Sequence, residues 1–252
     1  PPSYFSPYKI PTLQDGPEGE YLTDRESFEA VKFIEAHKDG PFYLYLPHYA
    51  VHTPLQAKKN VAAEYQAKVK QRGREWAKAV NKQYPDITIL LTFGYDTSFW
   101  RAAKPKDRST AAYGLLADFL DGVLDGCTKV TVLVDAYEFS YPYKERKQFE
   151  EAYESITKKA LEWTAAPEKY KAQVKAGFGI WMDHKKKGWD VADFSKNYFS
   201  PAEFESAVRS ALEVSDGYVW IYSERPKWWT NEMLSKQYVE ALAKARKAVK
   251  KD

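Results

Sequence analysis

Cysteine is almost absent from this chain of 252 residues, because Cys127 is the single one. One cysteine excludes an intrachain disulfide and a zinc site built from several thiolates. No run approaches the roughly 18 apolar residues that a membrane-spanning helix needs. We see no signal peptide, and the chain begins with Pro1 instead of methionine, so we expect a fragment or a processed product of undetermined compartment.

The sequence also lacks an excess of one charge sign. Lysine and arginine number 38 against 35 acidic residues, which gives a formal net charge of +3. The charges are interspersed, and we interpret the lysine-rich runs at residues 185–187 and 244–251 as solvated surface. The sequence therefore predicts neither nucleic acid nor a membrane as a partner. Aromatic residues make up 16%, which is more than a disordered chain carries, so we expect a packed core.

Apolar runs alternate with amphipathic segments along most of the chain. The predicted strands are residues 42–46, 87–92, 130–135, 177–182 and 218–222. The predicted helices are residues 23–39, 57–82, 110–124, 146–163, 201–214 and 232–249. Such alternation is typical of a parallel sheet with right-handed crossovers. The sequence thus predicts an α/β fold with a mainly parallel sheet of strand–helix units, a partial (β/α) barrel behind an irregular amino-terminal segment.

The first quarter of the chain resembles the formylglycine-dependent sulfatases, and among them the carbohydrate sulfatases of environmental bacteria. The resemblance lies in EYLTDR at residues 20–25, KFIE at 32–35 and PFYLYLPHYAVHTPLQA at 41–57. It implies that His52 contacts the sulfate group of a substrate, where an imidazole N–H donates to a sulfate oxygen. We therefore divide the chain into a sulfatase-like segment, residues 1–70, and a half-barrel-like α/β domain, residues 71–252.

Two parts of a sulfatase active site are missing from the sequence. The Cys/Ser-x-Pro-x-Arg motif that yields the formylglycine nucleophile is absent, and Cys127 does not match it. Intact sulfatases, which the resemblance implies are exported, also hold calcium. The early pair of aspartates among its ligands is missing, and Asp183-His184 matches the later pair only superficially. We therefore predict no bound cofactor or metal and no sulfatase turnover.

The remaining three quarters resemble the later strands of glycosidase-like TIM-barrel proteins of bacteria. The resemblance lies in YPDITILLTFGY at residues 84–95, DAYEFSY at 135–141, GFGIWMD at 177–183 and YVWIYSE at 218–224. It implies a barrel whose functional site lies at the carboxyl ends of the strands. Fold is implied more firmly than activity, because one barrel architecture serves many chemistries.

Carboxylates stand at or just after four predicted strand ends, at Asp96, Glu138, Asp183 and Glu224. Glycoside hydrolysis uses two facing carboxyl groups, one protonated and one ionised. We predict Glu138 and Glu224 as the catalytic acid and nucleophile, Asp183 as a residue that assists or orients them, and Asp96 as a substrate-binding residue. Each carboxylate also has a structural interpretation, as a helix N-cap or a partner in a loop salt bridge.

Aromatic residues crowd the same strand ends, where sugar rings can stack on their faces. We predict Tyr137, Trp228 and Trp229 as substrate-binding residues, and the two tryptophans, which follow Pro226, are the candidates for an exposed platform. Trp181 and Trp220 lie within predicted strands, so we expect them in the core.

Three functions stay open at this level. The first is a remnant of a carbohydrate-processing hydrolase whose glycosidase-like barrel portion acts on or binds glycans. The second is a sulfate-ester hydrolase or binder, and the third a non-catalytic glycan-binding or scaffold protein. The expected partner is a carbohydrate or sulfated carbohydrate. Because four or five strands cannot close a barrel of eight, free sheet edges also predict self-association. The two joined resemblances fit a gene fusion, a truncated fragment or a misassembled sequence.

Overall fold

The computed structural model describes residues 3–46, 58–95, 113–184 and 188–249. The helices in these ranges are α1 (Leu22–His37), α2 (Lys59–Gln83), α3 (Leu116–Gly126), α4 (Arg146–Thr157), α5 (Pro167–Gln173), α6 (Pro201–Val214) and α7 (Lys236–Val249). The strands are β1 (Thr88–Leu91), β2 (Val132–Asp135), β3 (Val174–Trp181) and β4 (Tyr218–Tyr222). The predicted alternation of strands and helices is confirmed. No helix in the described ranges is long and apolar enough to cross a membrane.

The four strands form one parallel sheet in the order β1-β2-β3-β4. Thr88 pairs with Val132, Leu133 with Val174, and Gly177 with Tyr218. The sheet is curled into half of a barrel, so the predicted partial barrel of strand–helix units is confirmed. Since all strands run the same way, their carboxyl ends meet at one edge of the sheet.

The convex side of the sheet is covered by helices, and alternate residues of each strand pack against them. On this side lie Ala176, Phe178 and Ile180 of β3 and Met182 just beyond it, which join side chains of α4, α6 and α7 in the larger core cluster. Leu133 of β2 joins a second cluster with α2, α3 and α5. The remaining residues of each strand face the concave side, and Gly177 and Gly179 of β3 are among them.

The amino-terminal segment has a small cluster of its own, formed by Tyr4, Tyr8 and Leu22. Residues 42–46 are not a strand, and the prediction that they form a buried one is wrong. Tyr43 and Tyr45 are 84% and 74% exposed. Aromatic residues favour a strand only where a neighbouring strand can pair with them, and none of the described residues pairs with this run.

The helical segment before β3 also departs from the prediction. The helix predicted for residues 146–163 ends at Thr157 and continues as the 3₁₀ turn Lys159–Glu162. A further short helix, α5, follows and leads directly into β3, which begins three residues earlier than predicted. Pro167 stands in the first turn of α5, where its missing N–H costs no helical hydrogen bond.

Helices α2 and α3 cross in close contact because glycines face backbone at the crossing. A Cβ added to Gly122 would overlap the carbonyl oxygen of Lys70, and one added to Gly73 would overlap that of Phe119. The two helices therefore approach closer than any side chain at these positions would allow.

Replacing Gly122 by alanine is expected to destabilise the protein by about 1–3 kcal/mol, the usual cost of forcing a group into a packed contact. Urea unfolding followed by circular dichroism measures this change. Gly40→Ala is the matched control, because no atom lies within 4 Å of a Cβ added there. Equal midpoints for the two variants would contradict the close crossing of α2 and α3.

Candidate functional site

Glu138 is held at the end of β2 by a turn that is fastened to β3. Glu138 opens the 3₁₀ turn Glu138–Ser140, directly after Tyr137, whose backbone is left-handed with φ +34°. The Ser140 hydroxyl accepts from the N–H of Gly179 at 2.9 Å. This bond continues the contact of β3 with the segment after β2, beyond the last residue of β3 that pairs with β2. The N–H of Trp181 then donates to the carbonyl of Tyr141 at 3.2 Å. These bonds fix the turn, and with it Glu138, against the end of the sheet.

Asp183, just beyond β3, is buried and fixes the backbone that carries Glu224. Its carboxylate accepts from the indole N–H of Trp181 at 3.1 Å, from the N–H of Glu224 at 3.0 Å and from the N–H of Arg225 at 2.8 Å. A side chain that is 4% exposed and accepts three N–H groups is placed to orient its neighbours. Of the roles predicted for Asp183, orienting is the one that this geometry fits.

A stacked tyrosine pair lies between the two predicted catalytic glutamates. The rings of Tyr141 and Tyr222 are 5.6 Å apart and inclined by 16°. The Tyr222 hydroxyl donates to Oε1 of Glu224 at 3.2 Å, and the carboxylate of Glu138 is near enough to Tyr141 to raise the pKa of its phenol. The structure thus brings Glu138, Asp183 and Glu224 to the same carboxyl edge of the sheet.

Both tyrosines are kept in their neutral form. Burial raises the pKa of Tyr141, and the nearby Glu138 raises it further. Burial likewise raises the pKa of Tyr222, together with the hydrogen bond to Glu224. A phenol with a raised pKa remains an O–H donor at neutral and mildly alkaline pH. Glu224 therefore faces a phenol that stays a hydrogen-bond donor over this pH range.

The sequence predicts Trp181 and Trp220 in the core, and Trp181 is buried whereas Trp220 is not fully buried. Trp181 is 8% exposed and meets Tyr141 edge-on at 5.7 Å, on the concave side. Trp220 is half-buried, and its indole N–H donates to the carbonyl of Ala136 at 2.8 Å. A Cβ on Gly179 would lie 2.8 Å from the Trp220 ring, so glycine makes room for it. Both tryptophans lie on the same face of the sheet as Gly177 and Gly179. The period-two alternation of side chains along β3 and β4 is the sequence signal that could have indicated this face.

The three predicted aromatic contacts occupy different environments. Trp229 is 98% exposed, as a platform requires. Trp228 is half-buried and packs against the larger core cluster, so it does not form an exposed platform. The ring of Tyr137 meets Phe178 edge-on at 6.4 Å, and it also packs on the convex side. Trp229 is thus the member of this group with a free ring face.

Two predicted site residues, His52 and Asp96, lie outside the described residues. His184, which follows Asp183, is buried between the rings of Trp181 and Tyr198, at 4.9 Å and 4.7 Å. Within the described ranges, no three histidine, cysteine, aspartate or glutamate side chains come together as a metal site would require.

The sequence prediction did not include the hydroxyl groups of Tyr141 and Tyr222 as parts of the site. Tyr222 is the last residue of β4 and stands two residues before Glu224, and this spacing is the signal that could have indicated it. Tyr141 meets Glu138 through the 3₁₀ turn, which the sequence does not reveal.

Comparison of the chain with models of known protein families, with curated proteins and with solved structures gives no match.

Proposed function

We propose that this chain is a remnant of a carbohydrate-processing hydrolase whose half-barrel binds glycans and cleaves glycosidic bonds at the strand ends. The observation that carries the proposal is the position of Glu138 and Glu224 at one carboxyl edge of the sheet, beside the stacked Tyr141–Tyr222 pair, with Glu224 hydrogen-bonded to Tyr222. Two carboxyl groups on one open edge of a parallel sheet are the minimum that glycoside hydrolysis needs.

In the proposed reaction, Glu138 protonates the glycosidic oxygen while Glu224 attacks the anomeric carbon. Water then displaces the sugar from Glu224, with Glu138 now accepting the proton. This retaining course needs the carboxyls about 5–5.5 Å apart in the complex, and an inverting course about 6.5–9.5 Å. Tyr222 and Asp183 hold the side chain and the backbone of Glu224, so they limit the positions from which it can attack.

Non-catalytic glycan binding is the second candidate, and the exposure of Trp229 favours it. A residue that is 98% exposed has almost no packing contact with the rest of the fold, so its ring is open to a sugar. The proposed partner is a carbohydrate, or a sulfated carbohydrate if His52 holds sulfate as the sulfatase resemblance implies. Sulfate-ester binding or hydrolysis by the first segment remains a prediction, which rests on that resemblance.

Replacing Trp229 by alanine is expected to weaken glycan binding roughly two- to tenfold, since one aromatic stack contributes about 0.5–1.5 kcal/mol. Isothermal titration calorimetry against a panel of neutral and sulfated oligosaccharides measures the change. Trp76→Ala is the control, because Trp76 on α2 is 42% exposed and belongs to a different part of the fold. Absence of binding to every oligosaccharide in the panel would contradict the proposal, as would an equal loss in both variants.

A further inference from the structure

We propose that two copies of this chain associate about a two-fold axis and close an eight-stranded barrel, with β4 of each copy pairing with β1 of the other. Among the described residues, β1 and β4 are the two edges of the sheet, and both strands run in the same direction. A second copy can therefore continue the parallel order at both edges at once. Each seam joins two different strands, β4 of one copy and β1 of the other. The two-fold rotation makes the two seams equivalent and closes the ring.

The stagger of the sheet is that of half a closed barrel. Leu91 pairs with Asp135, Asp135 with Ala176, and the next residue, Gly177, with Tyr218. The last residue of β1 is therefore level with residue 217, so β4 begins about where β1 ends. Thr88 and Tyr218, the first residues of the two strands, are thus offset by four positions.

This offset matches the geometry of an eight-stranded ring. In a barrel of eight strands, the pairing accumulates a shift of about eight residues along the strands in one full turn around the ring. Half of the ring, four strands, therefore accumulates about four residues. Continuing the register by that amount places Tyr218 of one copy beside Thr88 of the other. An even shift also keeps the alternation, so the two side chains lie on the same, inner face.

The concave side carries residues that suit a barrel interior better than an open surface. Leu90 is 46% exposed on this side, whereas an open sheet face in water is usually polar. Tyr218, Trp220 and Tyr222 of β4 share the face and are all half-buried. Gly179 of β3 leaves room for the Trp220 ring of the neighbouring strand, so bulky and small residues alternate on this face, as they do in barrel interiors.

The surface available is close to what a stable dimer buries. With strands 4.8 Å apart and a rise of about 3.3 Å per residue, the concave face and the two edges amount to on the order of 700 Å² per copy. A standard interface buries about 800 Å² per partner. Closure would also bring two Glu138–Glu224 clusters to the same mouth of the barrel, because all eight strands would point the same way.

Sedimentation equilibrium of the full chain gives the first test, with an expected mass twice the 29.1 kDa of one copy. The pairing is tested by Thr88→Cys with Tyr218→Cys in a Cys127→Ser background, oxidised with copper phenanthroline. Within one copy, β1 and β4 are three strand spacings apart, about 14 Å. A disulfide requires Cα atoms within about 7 Å, so only a contact between copies can form it. We expect a covalent dimer on a non-reducing gel.

The matched control pairs Thr88→Cys with Val219→Cys, because Val219 neighbours Tyr218 but packs on the convex side. This variant is expected to lose the cross-link. A monomer in the ultracentrifuge overturns the proposal, since the concave face would then be open or covered by other residues. A dimer in which neither pair cross-links, or in which both do so equally, overturns it as well, because the copies would meet through another surface.

Discussion

Replacing Glu224 by glutamine is expected to abolish glycoside cleavage and to leave glycan binding measurable. The substitution keeps the shape of the side chain and can keep the hydrogen bond from Tyr222, but it removes the carboxylate that the proposed mechanism needs as nucleophile. Loss of a nucleophile lowers kcat on the order of a thousandfold or more. Release of 4-nitrophenol from a panel of 4-nitrophenyl glycosides measures cleavage, and calorimetry measures binding.

Glu138→Gln should have a similar effect on kcat, because one mechanism requires both carboxyl groups. Glu232→Gln is the control, since this exposed glutamate lies in the connection between β4 and α7. Cleavage by Glu224→Gln at the parent rate would contradict the assignment of the nucleophile. If the parent protein binds oligosaccharides and cleaves none of the glycosides, non-catalytic binding replaces hydrolysis as the function.

The sheet could be predicted from the sequence because its signals are local. Each strand is an apolar run between helices, and the four predicted runs in the second segment lie at the observed strands with small shifts at their ends. Parallel pairing then places Glu138, Asp183 and Glu224 at one edge without further information. This part of the site follows from the order of elements alone.

The surroundings of a side chain could not be predicted where they depend on distant partners. Asp121 of α3 illustrates this, because it is buried and accepts from the hydroxyls of Tyr95 and Thr164, at 2.8 Å and 2.6 Å. Tyr95 follows β1 as Glu224 follows β4, yet its hydroxyl belongs to this buried network. Spacing along the chain cannot distinguish the two cases, since Asp121 is 26 residues from Tyr95 and 43 residues from Thr164.

Residues 42–46 and Trp228 show the same limit in another form. Composition identifies an aromatic run and an aromatic pair, but exposure depends on what the rest of the fold places beside them. Tyr43 is exposed to solvent, although a buried strand is predicted there. Trp228 packs against the larger core cluster, although an exposed platform is predicted there. Both errors concern which surface a neighbouring element covers, which is a property of the tertiary structure.

Replacing Asp183 by alanine is expected to destabilise the protein by about 3–5 kcal/mol. Three N–H groups, from Trp181, Glu224 and Arg225, would lose their acceptor at a position that is 4% exposed. The buried indole donor left without a partner costs about 1–3 kcal/mol, and the two partly buried backbone N–H groups, which water can reach, add the rest. Urea unfolding measures the loss.

Asp183→Asn separates the orienting role from a purely structural one. The carbonyl oxygen of the asparagine can still accept from the N–H of Glu224. Its NH₂ group is a donor and would face the N–H of Arg225, which is also a donor. The loop that carries Glu224 must therefore shift. We expect this folded variant to lose kcat with little change in KM, because misplacement by about 1 Å can cost on the order of a hundredfold in rate. Asp193→Ala is the control, since this exposed aspartate caps a 3₁₀ turn through Ser195 and should change stability by about 1 kcal/mol or less. Parent values of kcat and stability in Asp183→Asn would mean that Asp183 does not position Glu224.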